Sequence, residues 1–150
     1  FIMTDTPVDV LVVEDKKFER ESIINTLKSV DSALNVVSIE DGAEAIDFLL
    51  GQGIWKQRDT SNIPQLIILD LGLPNVDGLT ILKKIRSLEP SEPLTTTPVV
   101  IFSDSENPQK LSESYRLGAN SYTVKPVLFS EFSDVVEKIG DYWINYNQLP

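Results

Sequence analysis

Neither cysteine nor histidine occurs among the 150 residues. Without thiols there are no disulfides, zinc fingers, iron–sulfur clusters or cysteine nucleophiles. Without imidazole there is no Ser-His-Asp triad, no histidine metal ligand and no histidine acid–base chemistry within the chain. Positive charge is scarce as well: 13 Lys plus Arg stand against 23 Asp plus Glu, a formal net charge of -10. That balance argues against nucleic acid held through its phosphates and against an anionic membrane surface. Long apolar runs are also missing. Stretches such as Leu66–Leu69 and Val99–Phe102 are far too short to cross a bilayer. No basic segment leading into an apolar one opens the chain, so the expectation is a soluble, cytoplasmic protein. The only Met is Met3, so the expectation is that Phe1 and Ile2 are an expression remnant, and they are set aside from fold reasoning. The available chemistry is that of carboxylates, hydroxyls and lysine.

At 41% apolar and 24% charged residues the composition is that of one globular domain with a real core. Short apolar runs alternate with amphipathic stretches throughout. Val8–Val13 is broken only by Asp9 and reads as a strand buried on both faces; Lys17–Val30 places Ile23, Ile24, Leu27 and Val30 at helical spacing. A strand over 35–39, a helix carrying Ala45, Ile46, Leu49 and Leu50, and a polar loop over 52–64 with Trp55 follow. Leu66–Leu69 is a third strand, and Leu79, Leu82, Ile85 and Leu88 define a third helix. After a linker over 90–98 come a strand over 99–102, a helix over 108–117 closed by Gly118, a strand over 120–124 and a last helix over 128–146. Five such βα units with doubly buried strands specify a parallel sheet covered by helices on both faces.

In open sheets of this kind ligands bind outside the carboxyl ends of the strands. Those ends carry Glu14 and Asp15 on the first strand, Asp70 on the third, Ser103 on the fourth and Lys125 on the fifth. Any one of these is more often a cap, turn or surface residue; five suitable groups at four strand ends are not. Three carboxylates packed together repel, so the site asks for a cation, and an all-oxygen set suits Mg²⁺. Asp70 has the chemistry of a carboxylate nucleophile able to form an acyl phosphate. Mg²⁺ and Lys125 would neutralise the phosphoryl oxygens, and Ser103 would donate a hydrogen bond to one of them.

Four segments carry a family resemblance: Val10-Leu-Val-Val-Glu-Asp15, Ile67-Ile-Leu-Asp70-Leu-Gly-Leu-Pro74-Asn-Val-Asp-Gly78, Val99-Val-Ile-Phe-Ser103 and Gly118-Ala-Asn-Ser-Tyr122-Thr-Val-Lys125-Pro126. In order and spacing, across essentially the whole chain, they resemble the receiver domain of response regulators in two-component signalling. The resemblance implies an α/β, (βα)₅ flavodoxin-like three-layer sandwich with strand order 2-1-3-4-5. It implies that Asp70 accepts a phosphoryl group from a sensor histidine kinase on another protein. Glu14, Asp15, Asp70 and the backbone carbonyl of Gly72 would hold Mg²⁺, for which Mn²⁺ or Ca²⁺ substitute. Ser103 and Tyr122 would form the switch pair, and the Lys125–Pro126 bond would be cis. Residues 1–150 would be a single receiver domain, with no output domain. The tail Tyr142–Pro150 and the loop around Trp55 resemble single-domain regulators partnered with phytochrome kinases.

One position departs from the pattern. Asp104 follows Ser103 where the family usually has a small residue; it either crowds and repels the incoming phosphoryl group or points outwards without effect. The helix over 108–117 is thinly apolar, with only Leu111, Tyr115 and Leu117 able to pack, which suits an element that moves. The last helix is the opposite. Phe129, Phe132, Val136, Ile139, Trp143 and Tyr146 form a core seam, with Leu128, Val135 and Tyr142 beside it. That excess marks the face of the fourth helix, fifth strand and last helix as a homodimer or partner surface.

Three other readings compete. A Mg²⁺-dependent phosphatase-type hydrolase also uses an Asp nucleophile after a strand, but normally has a second Asp two residues on, where this chain has Gly72. A pseudo-receiver would bind partners without phosphorylation, against which the intact site residues speak. A flavin-binding flavodoxin would need a phosphate-cradling first loop, whereas Glu14-Asp-Lys-Lys17 would repel phosphate.

Overall fold

The computed structural model describes residues 7–150, so Phe1 and Ile2 lie outside the described residues. Five strands, β1 (Val10–Val13), β2 (Val36–Ile39), β3 (Leu66–Leu69), β4 (Val99–Ser103) and β5 (Ser121–Val124), form one parallel sheet in the order β2-β1-β3-β4-β5. Five helices connect and follow them: α1 (Lys17–Val30), α2 (Gly42–Leu50), α3 (Gly78–Arg86), α4 (Pro108–Arg116) and α5 (Phe129–Gly140). This is the flavodoxin-like order expected from the sequence.

The strand period of two explains the layers. Leu11, Val13, Ile67, Leu69, Val99 and Ile101 face α2 and α3, meeting Ala45, Phe48, Leu49, Ile81, Leu82 and Ile85. Their neighbours Val10, Val12, Leu66, Ile68, Val100 and Phe102 face α1 and α5, meeting Ile23, Leu27, Phe132, Val136 and Ile139. β1, β3 and β4 are buried along their whole length, while β2 and β5 at the edges are only partly covered.

α4 is indeed weakly anchored: its one buried residue is Ser114, whose hydroxyl donates to the Lys110 carbonyl, while Leu111 and Tyr115 are exposed. The polar loop over 52–64 is better ordered than its composition suggests. Gly53–Trp55 forms a 3₁₀ turn, Trp55 packs edge-on against Phe48, and Arg58 lies over the Phe48 ring while donating to backbone carbonyls. The linker over 90–98 likewise contains a 3₁₀ turn, Pro93–Thr96.

Two expectations need correction. The core seam of the last helix is shorter than its spacing implies: Phe132, Val136 and Ile139 are buried, but Phe129 and Tyr146 are exposed. Phe129 precedes the part of α5 lying over the sheet and packs against Phe18 instead. Beyond Gly140 the chain winds as a π-helix over Asp141–Tyr146, which rotates the later residues off the seam. Second, the Lys125–Pro126 bond is trans, since no cis peptide occurs among the described residues. Trans is the lower-energy isomer even before proline, and Lys125 reaches its carboxylate partners in that form.

Candidate functional site

The sheet order reverses between β1 and β3, which pair in register Val13↔Leu69. The residues next in line, Glu14 and Asp70, therefore emerge side by side at the switch point. Asp70 is held by its own loop, its Oδ1 accepting from the Leu71 N–H at 2.8 Å. Gly78 at the start of α3 passes so close beneath that a Cβ there would overlap the Asp70 carbonyl oxygen. Gly42 plays the same part for the next stretch of loop, where a Cβ would overlap the Val76 carbonyl. Asn75 closes that turn in the left-handed region, φ 66°, and its amide donates to the Asp41 carboxylate that caps α2. Gly72 is exposed on this loop, two residues past Asp70.

One carboxylate oxygen each from Glu14, Asp15 and Asp70 lie within 4.8 Å of one another. Asp15 Oδ1 is buried and has no hydrogen-bond partner. A buried carboxylate oxygen without a partner is costly unless a cation meets it. Burial first, and the Asp70 charge second, push the Glu14 carboxyl up to about 7, against the pull of Lys125. These are the properties of a hard-cation site, and the oxygen donors suit Mg²⁺ or Mn²⁺.

Lys125 enters from the end of β5. Its Nζ lies 2.7 Å from Glu14 Oε1, 2.5 Å from Glu19 Oε1 and 3.5 Å from Asp70 Oδ2, with only 3% of the side chain exposed. Burial opposes its charge, but the hydrogen bonds that Lys125 donates to Glu14 and Glu19 outweigh it and bind the proton more tightly than usual.

Ser103 is buried at the end of β4, and Tyr122 is half-buried on β5. No hydrogen bond joins them directly; Ser105 links them. Its N–H donates to Ser103 Oγ at 3.2 Å and its carbonyl accepts from the Tyr122 hydroxyl at 2.7 Å. Asp104 points outwards and pairs with Lys16 Nζ at 3.2 Å, the two side chains 70% and 50% exposed. The bond to Lys16 holds the Asp104 carboxyl below its usual range.

Residues 10–137 match the response regulator receiver domain family. The chain belongs to that family. It is 31% identical over 147 residues to the response regulator Rcp1 of Synechocystis sp., covering 98% of this chain and 96% of Rcp1. Identity to the probable methanogenesis regulatory protein FilR2 of Methanothrix harundinacea is also 31% over 147 residues, covering 97% and 90%. The Mn²⁺-bound structure of Rcp1 superposes with a TM-score of 0.86 at 31% identity, over 96% of this chain and 99% of that one. The phosphorylated cyanobacterial phytochrome response regulator RcpA also gives 0.86, at 32% identity over 97% and 99%.

This receiver is therefore a response regulator of two-component signalling, with an acidic triad fit for a divalent cation. Three contributors to its site escape a reading of the strand ends. Glu19 sits in the first turn of α1, where an acid is ordinarily explained by the helix dipole. Arg20 donates to the Glu14 and Asp15 carbonyls at 3.1 and 3.3 Å and pairs with Glu40, fixing the loop after β1. Ser105 looks like an ordinary loop serine. Only the first carries a sequence signal, an acid five residues after Glu14.

Proposed function

We propose that Asp70 accepts a phosphoryl group from the histidine of a sensor kinase, with Mg²⁺ as the resident cation. The observation that carries this reading is the setting of Asp70: a carboxylate at the switch point beside a buried ammonium and an acidic pair with an orphaned oxygen. Glu14, Asp15, Asp70 and the Gly72 carbonyl would hold the cation, which when bound supplies charge neutralisation for the phosphoryl oxygens. An Asp70 oxygen attacks phosphorus and the bond to the donor breaks. With acetyl phosphate the leaving group departs as acetate and no proton changes hands. Lys125 offsets the charge on the new acyl phosphate, and Ser103 donates to one of its oxygens.

The switch follows from the hydrogen bonds around Ser105. When Ser103 turns its hydroxyl to the phosphoryl group, Ser105 N–H loses its acceptor. The loop shifts, and Tyr122, bonded to the Ser105 carbonyl, moves with it. The Tyr122 backbone N–H donates to the Tyr115 hydroxyl oxygen on α4 at 3.1 Å in the resting form, so α4 follows. The thin anchoring of α4 supports this path.

Residues 1–150 act as one receiver unit in the cytoplasm, signalling through protein contacts, and the kinase is phytochrome-like; extensive coverage of Rcp1 and RcpA supports this. Among the described residues no helix is long and apolar enough to cross a membrane. A homodimer through α4, β5 and α5 is supported by the exposure of Leu111, Tyr115, Val124 and, just beyond α5, Tyr142. Sedimentation of Tyr142→Glu should show a shift towards monomer, and an unchanged state would remove the dimer from the account.

The acceptor is tested by Mg²⁺-dependent labelling with acetyl phosphate. Wild type should label and Asp70→Asn should not; equal labelling of both would refute the assignment, and an unlabelled wild type would favour the pseudo-receiver.

A further inference from the structure

The lysine at the end of β5 has more claims on it than its proposed task requires. An ammonium has three N–H donors. Two of Lys125's short contacts go to Glu14 and Glu19, at 2.7 and 2.5 Å, and the contact to Asp70 is the longest at 3.5 Å. Asp70 thus has the weakest hold on the cation meant to serve it. Of the two stronger partners, Glu14 belongs to the acidic triad and would share its charge with a bound metal. Glu19 lies outside the triad, and no arginine or other lysine pairs with its carboxylate among the described residues. Its grip on Lys125 is therefore undiminished when the metal site fills.

We infer that Glu19 is a positioning residue that holds the Lys125 ammonium back from Asp70 and so slows phosphoryl transfer and shortens the life of the acyl phosphate. The inference rests on Asp70 being the phosphoacceptor. For Lys125 to meet the phosphoryl oxygens, Nζ must give up one charge-assisted bond, and Glu19 is the partner it leaves. Its position in the first turn of α1 gives the restraint a rigid base. The transfer itself is unchanged: an Asp70 oxygen bonds phosphorus, the bond to the donor's leaving oxygen breaks, and acetate leaves with that electron pair.

The test compares wild type, Glu19→Gln and Glu19→Asp, using acetyl phosphate and Mg²⁺. Gln keeps an oxygen that accepts from Nζ, so a purely structural tether survives in it while the charge is lost. Asp keeps the charge with a shorter reach. Glu19→Gln should label on the order of tenfold faster than wild type and lose its label more slowly; Glu19→Asp should fall between them. Thermal midpoints should stay close to wild type, since the position is partly exposed on a helix. Glu19→Gln labelling at or below the wild-type rate overturns the inference, and so does Glu19→Asp matching Glu19→Gln. If Glu19→Gln fails to fold, the Glu19→Asp rate decides alone: faster than wild type supports the restraint, and no faster overturns it. Failure of wild type to label in an Asp70-dependent way would instead break the underlying reading.

Discussion

Two lysines, Lys125 and Lys16, are each held by carboxylates, yet they do opposite kinds of work. Lys125 is buried among Glu14, Glu19 and Asp70. Lys16 lies at the rim, next to Asp15, and pairs with Asp104, with both partners largely in solvent. At the rim, water and salt screen the attraction, and such pairs contribute about 1 kcal/mol or less. In the interior the same chemistry cannot be dismantled piecemeal, because removing one member leaves the others buried and unpaired. Distance alone does not separate the two lysines. Burial does, and it decides which of them belongs to the mechanism.

The comparison breaks most visibly if the deep lysine proves dispensable. Lys125→Met leaves Glu14 and Asp70 buried without their counter-charge and should destabilise the metal-free fold by about 3–5 kcal/mol, read by urea denaturation. Mg²⁺ should restore part of that loss. A wild-type-like urea midpoint would mean that the cluster is not held by Lys125.

The next effect is on pH. In the metal-free protein the Glu14 carboxyl is raised from 4.5 to about 7. The folded state therefore keeps a proton that the unfolded chain has released between those values. The stability associated with it is complete below the lower value and is lost as pH rises through the upper one. Thermal midpoints should fall over that interval without metal and fall less with Mg²⁺, which binds the deprotonated carboxylate. A flat profile would show that Glu14 is not strained by its burial.

Half-buried Tyr122 should give an intermediate result. Tyr122→Phe removes the hydroxyl bond to Ser105 and should cost about 1 kcal/mol in stability. It should also uncouple α4 from phosphorylation, seen as amide exchange in α4 that no longer changes on labelling. At the rim, Asp104→Ala and Lys16→Ala should each shift stability by less than about 1 kcal/mol, and the shift should vanish in high salt. A larger effect would show that the bridge closes the site.

How far these roles were legible in the sequence follows the same division. The strands announce themselves because β1, β3 and β4 are buried on both faces, leaving continuous apolar runs with an informative residue at each end. Glu14, Asp15, Asp70 and Ser103 stand at such ends, whereas Lys125 follows β5, an edge strand that is only partly covered. Glu19 stands five residues after Glu14, but its bond to Lys125 spans 106 positions, which no local pattern encodes. The orientation of Asp104 depends on whether Lys16 comes within reach, which spacing does not encode. The seam of α5 was overextended because helical periodicity assumes an unbroken 3.6-residue turn, and the π-helix over Asp141–Tyr146 departs from it.

The central claim is that the Asp70 carboxylate beside Lys125 is where the phosphoryl group resides. Its most direct test is mass-spectrometric mapping of wild type treated with acetyl phosphate and Mg²⁺, with the acyl phosphate trapped before digestion. A single modified residue, Asp70, is expected, with none modified when the metal is chelated. Modification at any other residue, or at Asp70 without a divalent cation, would contradict it.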